Sequence, residues 1–135
     1  MYKQIGLVDL VAAIQKVVRE NTGIPCLDHV ELNEESPFYF VQVTGKRPSP
    51  SKTMYRDVFT VNIHCIAEEG PSSVGIYELI QMLEEALTED ITLPDPYQLV
   101  LQTNSGINQI MTDETGEKHA VLSFEFMIAY GFKCK

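Results

Sequence analysis

Two segments of the chain carry apolar residues at every third or fourth position, the spacing of one face of an α-helix. The first segment, residues 6–21, places these on one stripe: Leu7, Leu10, Val11, Ile14, Val17 and Val18. Gly23 suits the left-handed position after a helix, and Pro25 prevents continuation. The second segment begins near Ser72 or Ser73, and either serine is a suitable N-cap residue for a helix. Its apolar face comprises Ile76, Leu79, Ile80, Leu83, Ala86 and Leu87.

Alternation of apolar and polar residues predicts β-strands elsewhere, because successive side chains of a strand point to opposite faces. The predicted strands are residues 38–45, 54–67, 97–104, 107–112 and 118–132. One face of the second strand carries Phe59, Val61, Ile63, Cys65 and Ala67. One face of the last carries Leu122, Phe124, Phe126, Ile128, Tyr130 and Phe132. Residues 29–32 are either a short strand or an extended connection.

The segment KRPSPSK, residues 46–52, separates the first two predicted strands. Its prolines and serines argue against a strand interior and predict an exposed, mobile loop. The result is a long antiparallel β-hairpin with a basic, proline-rich tip. Turns are predicted at Ser105–Gly106 and at residues 113–116. The element order is therefore α-β-β-α-β-β-β, typical of one α+β domain over residues 1–135 with both helices on one face of an antiparallel sheet of about four to five strands.

Composition agrees with one globular domain: the chain has 135 residues, of which 44% are hydrophobic and 21% charged. We expect no membrane span, because no apolar run reaches the required length, and no secretory signal at the N-terminus. The three cysteines are Cys26, Cys65 and Cys134. Their odd number and wide spacing argue against a disulfide framework or a metal-binding pair. Reduced thiols would suit an intracellular site of synthesis.

Charge is divided unevenly along the chain, and the net charge of −9 argues against general nucleic-acid binding. No Lys or Arg lies between Asp57 and Glu117, whereas Ser36 to Arg56 contains no acid. One interpretation is solvated surface charge. The other is a pair of complementary patches that meet in a head-to-tail oligomer. In that hypothesis Lys46, Arg47, Lys52 and Arg56 face, on a neighbouring subunit or partner, the acids Glu78, Glu84, Glu85 and Glu89.

Candidate chemistry is sparse, and we expect no catalytic residue, metal ligand or cofactor. His29, His64 and His119 share no ligand spacing. His64 and Cys65 are neighbours on a strand, so their side chains diverge. Paired acids such as Glu84 and Glu85 are adjacent on a helix and do not converge across a cleft. Residues 113–117 lack the spacing of a calcium loop, and no nucleotide-binding or hydrolase motif is present.

The chain resembles the tail-terminator or tail-completion proteins of long-tailed bacteriophages and prophages, and their head–tail joining proteins. The resemblance lies in the element order, the chain size and five segments. The segments are GLVDLVAAIQKVV, SPFYFVQVTGKRPSPS, YRDVFTVNIHCIAEEGPSS, VGIYELIQMLEEAL and LSFEFMIAYGF. The resemblance implies a ring, generally a hexamer, that caps the tail tube and offers its opposite face to the head connector. It implies assembly in the bacterial cytoplasm, residence in the virion tail or head–tail junction, and contact with DNA only as DNA passes through the ring.

Two other interpretations remain open from the residues alone. The chain could be a small-ligand-binding or regulatory α+β module, with the ligand on the open sheet face or between a helix and the sheet. It could also be an enzyme of a class without a local motif. A convergent cluster of titratable residues in a deep pocket would favour the enzyme.

Overall fold

A computed structural model describes residues 3–28, 35–70, 72–112 and 116–133. It shows an α+β protein with two helices and a five-stranded sheet. The elements are, in order, α1 (Leu7–Thr22), β1 (Cys26–Leu27), β2 (Phe38–Pro48), β3 (Met54–Ala67), α2 (Val74–Ala86), β4 (Gln98–Thr112) and β5 (Lys118–Phe132). The predicted order α-β-β-α-β-β-β is wrong, because three strands precede α2 and two follow it.

Both helices lie close to their predicted positions. Gly23 ends α1 in the left-handed conformation, with φ of 70°, and its N–H donates to the carbonyl oxygen of Arg19 at 2.9 Å. The glycine was predicted for this position because residues with a Cβ rarely adopt positive φ. At the start of α2, Ser73 makes no side-chain cap hydrogen bond, whereas the hydroxyl of Ser72 accepts from the N–H of Val74 at 3.2 Å.

The sheet is mixed, so the predicted purely antiparallel sheet is wrong. Its order is β1-β2-β3-β5-β4, and β1 runs parallel to β2 while all other pairs are antiparallel. Side chains of α1 hold β1 in place: Gln15 and Arg19 donate to the carbonyl oxygen of Cys26 at 3.0 and 2.7 Å. This helix–strand anchoring is not visible in the apolar pattern. Residues 29–32, the alternative strand, lie outside the described residues.

The predicted turn at Ser105–Gly106 is also wrong, because β4 continues through it. The pairing of β4 with β5 shifts in register between Asn104 and Gly106. Gly106 has φ of 106°, and its N–H donates to the side-chain oxygen of Asn104 at 2.8 Å. A glycine with positive φ permits a bulge as readily as a turn. The Ser105–Gly106 pair therefore indicated an irregular backbone at the right position, but the irregularity is a register shift within β4 and not a turn. Residues 113–115 of the other predicted turn lie outside the described residues.

The first strand of the β2–β3 pair extends further than predicted. Lys46, Arg47 and Pro48 belong to β2 and pair with β3, so they do not lie in a loop. Proline is accepted there because the N–H of Ser49 donates to Arg56, which turns the nitrogen of Pro48 away from β3. The connection between the two strands is residues 49–53.

The core lies between one face of the sheet and the two helices. As predicted, Phe59, Val61, Ile63, Cys65 and Ala67 of β3 are buried, and they form one cluster with buried residues of α1, α2 and β5. The predicted face of β5 is buried only as far as Ile128. Beyond a register shift beside Tyr55, Tyr130 is half-buried and Phe132 is 43% exposed. Among the described residues, neither helix has the length and apolar character to cross a membrane.

Candidate functional site

Lys46 stands on the helix-covered face of the sheet, near the end of β2. Its ammonium nitrogen lies 2.7 Å from the side-chain oxygen of Gln4 and 3.8 Å from a carboxylate oxygen of Asp57. It also lies 5.6 Å from the ring centre of Phe59. The side chain therefore joins the segment before α1 to the sheet, in addition to any contact with another chain.

The other three predicted cations share the same end of the β2–β3 pair. Arg47 lies on the opposite face, where its guanidinium is 3.3 Å from the carboxylate of Glu125. Arg56 donates to the carbonyl oxygen of Ser49 at 2.9 Å, and Lys52 is exposed in the connection. The side chain of Arg47 is 61% exposed, so Arg47 and Lys52 are the cations best placed to meet a partner.

Lys133 is a further cation that sequence reasoning missed at this end. Its ammonium donates to the carbonyl oxygen of Ser51 at 2.8 Å and lies 4.9 Å from the ring centre of Tyr55. The antiparallel pairing of β3 with β5 brings it there, since Met54 is paired with Phe132. The cations Lys46, Arg47, Lys52, Arg56 and Lys133 are hereafter called the basic end.

The four predicted acids follow α2 and the turn after it. Glu84 accepts a hydrogen bond from Asn104, and Glu85 accepts one from Gln81, both at 3.0 Å. Glu89 accepts from Asn21 at 3.1 Å, and Glu78 is exposed. Within the part of the chain that the structure describes, none of the four cations pairs with these acids. Any pairing between the two sets is therefore a contact between chains.

A second group of acids lies at the sheet end opposite the basic end. Glu68, Glu69 and Glu78 line an open groove of about 420 Å³ beside α2, together with apolar residues that include Leu79 and Met82. Glu35 and Glu117 border the adjoining surface. Besides its three carboxylates, the described lining of the groove offers the hydroxyl of Ser72, which accepts a hydrogen bond from the N–H of Val74, and it includes no histidine, cysteine, lysine or arginine.

The open face of the sheet carries a hydrogen-bonded row that sequence reasoning also missed. His64 Nδ1 lies 2.8 Å from His119 Nε2, and His64 Nε2 lies 3.1 Å from the side-chain oxygen of Gln42. The histidines are 55 residues apart in sequence and meet only through the β3–β5 pairing. His29 lies outside the described residues. No group of three or more metal-ligating side chains occurs within residues 3–28, 35–70, 72–112 and 116–133.

The histidine pair predicts a pH dependence of stability. Burial, and secondly the neighbouring His119, hold the pKa of His64 below its ordinary value of 6.5. The unfolded chain then binds a proton more readily than the folded chain, so this site destabilises the fold as the pH falls below about 6.5. We expect the midpoint temperature of thermal unfolding to decrease when the pH is lowered from about 8 to about 5. The variant His64→Gln should show a smaller fall, and an identical fall would contradict the assignment.

The described cysteines are buried and unreactive. Burial raises the pKa of Cys26 to about 12, although Arg19 acts in the opposite direction. Burial likewise raises the pKa of Cys65. Both therefore stay protonated at neutral pH, which gives no support to a cysteine nucleophile beside His64. Cys134 lies outside the described residues.

Comparison with known proteins adds one family and one fold. All of residues 1–135 match a family model described as "Putative tail termination protein". The fold is similar to a chain of a solved structure titled "Virion of native gene transfer agent (GTA) particle", with a TM-score of 0.68 and 16% identity over 90% of this chain and 96% of that chain. At that identity the likeness shows the fold alone. Comparison with curated protein sequences gives no match.

Proposed function

The chain belongs to the phage tail terminator family, a family of structural virion-assembly proteins, and we propose that it closes the end of a tail as a ring of identical copies. The observation that carries this proposal is the match over residues 1–135. One face of the ring would contact the tail tube and the other the head connector. The ring would be a hexamer, assembled in the bacterial cytoplasm, through which DNA passes.

The surfaces of the chain are suited to such a role. A ring requires heterologous contacts, in which one patch meets a different patch on the next copy. The basic end and the acids Glu78, Glu84, Glu85 and Glu89, which lie on α2 and in the turn after it, are separate patches of opposite charge. The match to a tail-termination family favours a structural role, so we assign the function to these surfaces.

An add-back assay tests the proposal. Extracts that lack this chain should accumulate unjoined heads and tails, and purified chain should restore joined particles. The double variant Arg47→Glu/Lys52→Glu reverses two exposed cations of the basic end. We expect it to need at least about tenfold more protein at low salt, with a weaker salt dependence, because opposite charges steer and hold the contact.

The matched control is Lys16→Glu/Lys118→Glu, which makes the same change of net charge away from the basic end. It should restore particles as the unmodified chain does. If the unmodified chain joins no particles, the proposed function is wrong. If both double variants behave alike across the salt series, the basic end is not the contact surface.

A further inference from the structure

In the described part of the chain, the sheet has a strand edge without a neighbouring strand on each side. On one side β4 is the last strand. On the other side β1 pairs only with Tyr39 and Phe40. Among the described residues, no strand neighbours β2 from Val41 to Pro48. An uncovered edge presents unpaired backbone N–H and C=O groups, which are a template for pairing with another chain.

β4 lacks the charged side chains that commonly protect an edge strand. It is 15 residues long and contains no charged residue, whereas natural edges commonly carry lysine or other charges that prevent pairing. It also leaves Leu101, Ile107 and Ile110 exposed, at 55, 46 and 45%. Its register shifts bend the edge, but they do not add charge. An uncharged, partly apolar edge of this length is suited to a strand partner.

An apolar groove borders the opposite edge. It lies between the start of α1 and β2, and its lining includes Leu7, Val8, Val11 and Val43. Val8 is 82% exposed and Leu7 48% exposed. The groove is on the helix-covered side of the sheet, since α1 forms one of its walls. A strand added to β2 would place every second side chain in this groove.

The strand register places residues of the β4 edge and residues of the β2 edge in the same rows across the sheet and on the same face. One row across the sheet runs Val41, Ile63, Leu122 and Ile107. A second row runs Lys46, Phe59, Phe126 and Gln102. Both rows lie on the helix-covered side, where Ile63, Leu122, Phe59 and Phe126 are buried. If two copies stand side by side with these rows aligned, Ile107 of one copy lies at the groove beside Val41 of the next copy.

We propose that neighbouring copies pair edge to edge, with β4 of one copy antiparallel to residues 41–48 of β2 in the next. Strand direction supports this choice of occupant. From β2 through β3 and β5 to β4 every pair is antiparallel, so β4 runs opposite to β2. If neighbouring copies are related by rotation about an axis parallel to the strands, β4 of one copy therefore meets β2 of the next in the antiparallel direction. The inference rests on the proposed ring, because only a closed ring covers both edges of every copy.

Charge is complementary along the same junction. Gln102 of β4 donates to the carbonyl oxygens of Leu87 and Glu89, and Asn104 donates to Glu84. Those two acids therefore stand beside the β4 edge. Lys46 lies in the same row as Gln102, at the β2 edge. Edge pairing would bring Lys46 of one copy close to Glu84 and Glu89 of the next.

Cysteine cross-linking in tails that carry this chain tests the pairing. Gln42, Thr103 and Gln109 are exposed and lie on the open face. We expect Gln42→Cys/Thr103→Cys or Gln42→Cys/Gln109→Cys to give a ladder of covalent multimers with a short bis-maleimide, because diagonal cross-strand neighbours lie about 7–8 Å apart. The matched control Gln42→Cys/Asn104→Cys places the second thiol on the other face and should give no ladder.

The single variants separate the other outcomes. Gln42→Cys or Thr103→Cys alone should give no multimers, which also controls for the native cysteines. Covalent dimers from Thr103→Cys alone would mean that β4 pairs with itself, and the inference would be wrong. Tails that carry the double variants but give no ladder would overturn the inference and leave the proposed function standing. Tails that do not incorporate the unmodified chain would overturn both.

Amide hydrogen exchange of the unmodified chain gives a readout that needs no variant. Outward amides of residues 99–107 of β4 and of residues 41–47 of β2 should exchange at least about tenfold more slowly in tails than in the free chain, because new backbone hydrogen bonds protect them. Equal rates at both edges would also overturn the inference.

Discussion

Replacing Phe126 by alanine is expected to lower the free energy of unfolding by about 3–5 kcal/mol. Phe126 is fully buried near the middle of β5, on the helix-covered face, where it stands in one row between Phe59 of β3 and Gln102 of β4. Truncation removes the burial of its ring and leaves a cavity, and neighbours on two paired strands have little freedom to close it. Urea denaturation followed by circular dichroism measures the change.

The matched control is Ile110→Ala on β4. Ile110 is apolar and lies in the same sheet, but 45% of it is exposed in the free chain. Its truncation should cost less than about 1 kcal/mol. Similar losses for the two variants would mean that the helix-covered face of β5 is not the centre of the core.

Replacing Lys46 by methionine is expected to lower the free energy of unfolding by about 1–2 kcal/mol at neutral pH. Asp57 is 2% exposed, and its Oδ2 has no hydrogen-bond partner among the described residues. Burial raises the pKa of this carboxyl, and Lys46 lowers it. Removing the ammonium leaves a buried carboxylate without its counter-charge. The effect is below that of a fully buried pair because the Lys46 side chain is 35% exposed to solvent.

The sign of the pH dependence follows from the raised pKa. The folded chain holds the Asp57 proton more tightly than the unfolded chain, so this site destabilises the fold as the pH rises above its ordinary value of 3.8. The loss caused by Lys46→Met should therefore shrink in acid, where Asp57 is protonated. In an Asp57→Asn background the same substitution should have little effect, as a double-mutant cycle would show. An unchanged loss in that background would contradict the pairing.

The charged patches of the proposed interface were only partly predictable from the sequence. The division of charge along the chain identified Lys46, Arg47, Lys52 and Arg56 as a group, because residues close in sequence stay close in space along one hairpin. Lys133 joins them through a strand pairing that spans most of the chain. The contact between His64 and His119 has the same origin. Such contacts depend on which strands are neighbours, and composition carries no record of that.

The sequence by itself determined the two helices, the end of α1 at Gly23 and the buried face of β3. These features are local: the periods of 3.6 and 2 residues decide which side chains share a face, and a glycine accepts a positive φ wherever it stands. Only the tertiary structure decided that β1 runs parallel to β2 and that β4 continues through Gly106. It also decided that, among the described residues, no strand lies beyond β4 and none neighbours β2 from Val41 to Pro48. Backbone hydrogen bonds between distant segments set these outcomes, and they leave no periodic signal in the side chains.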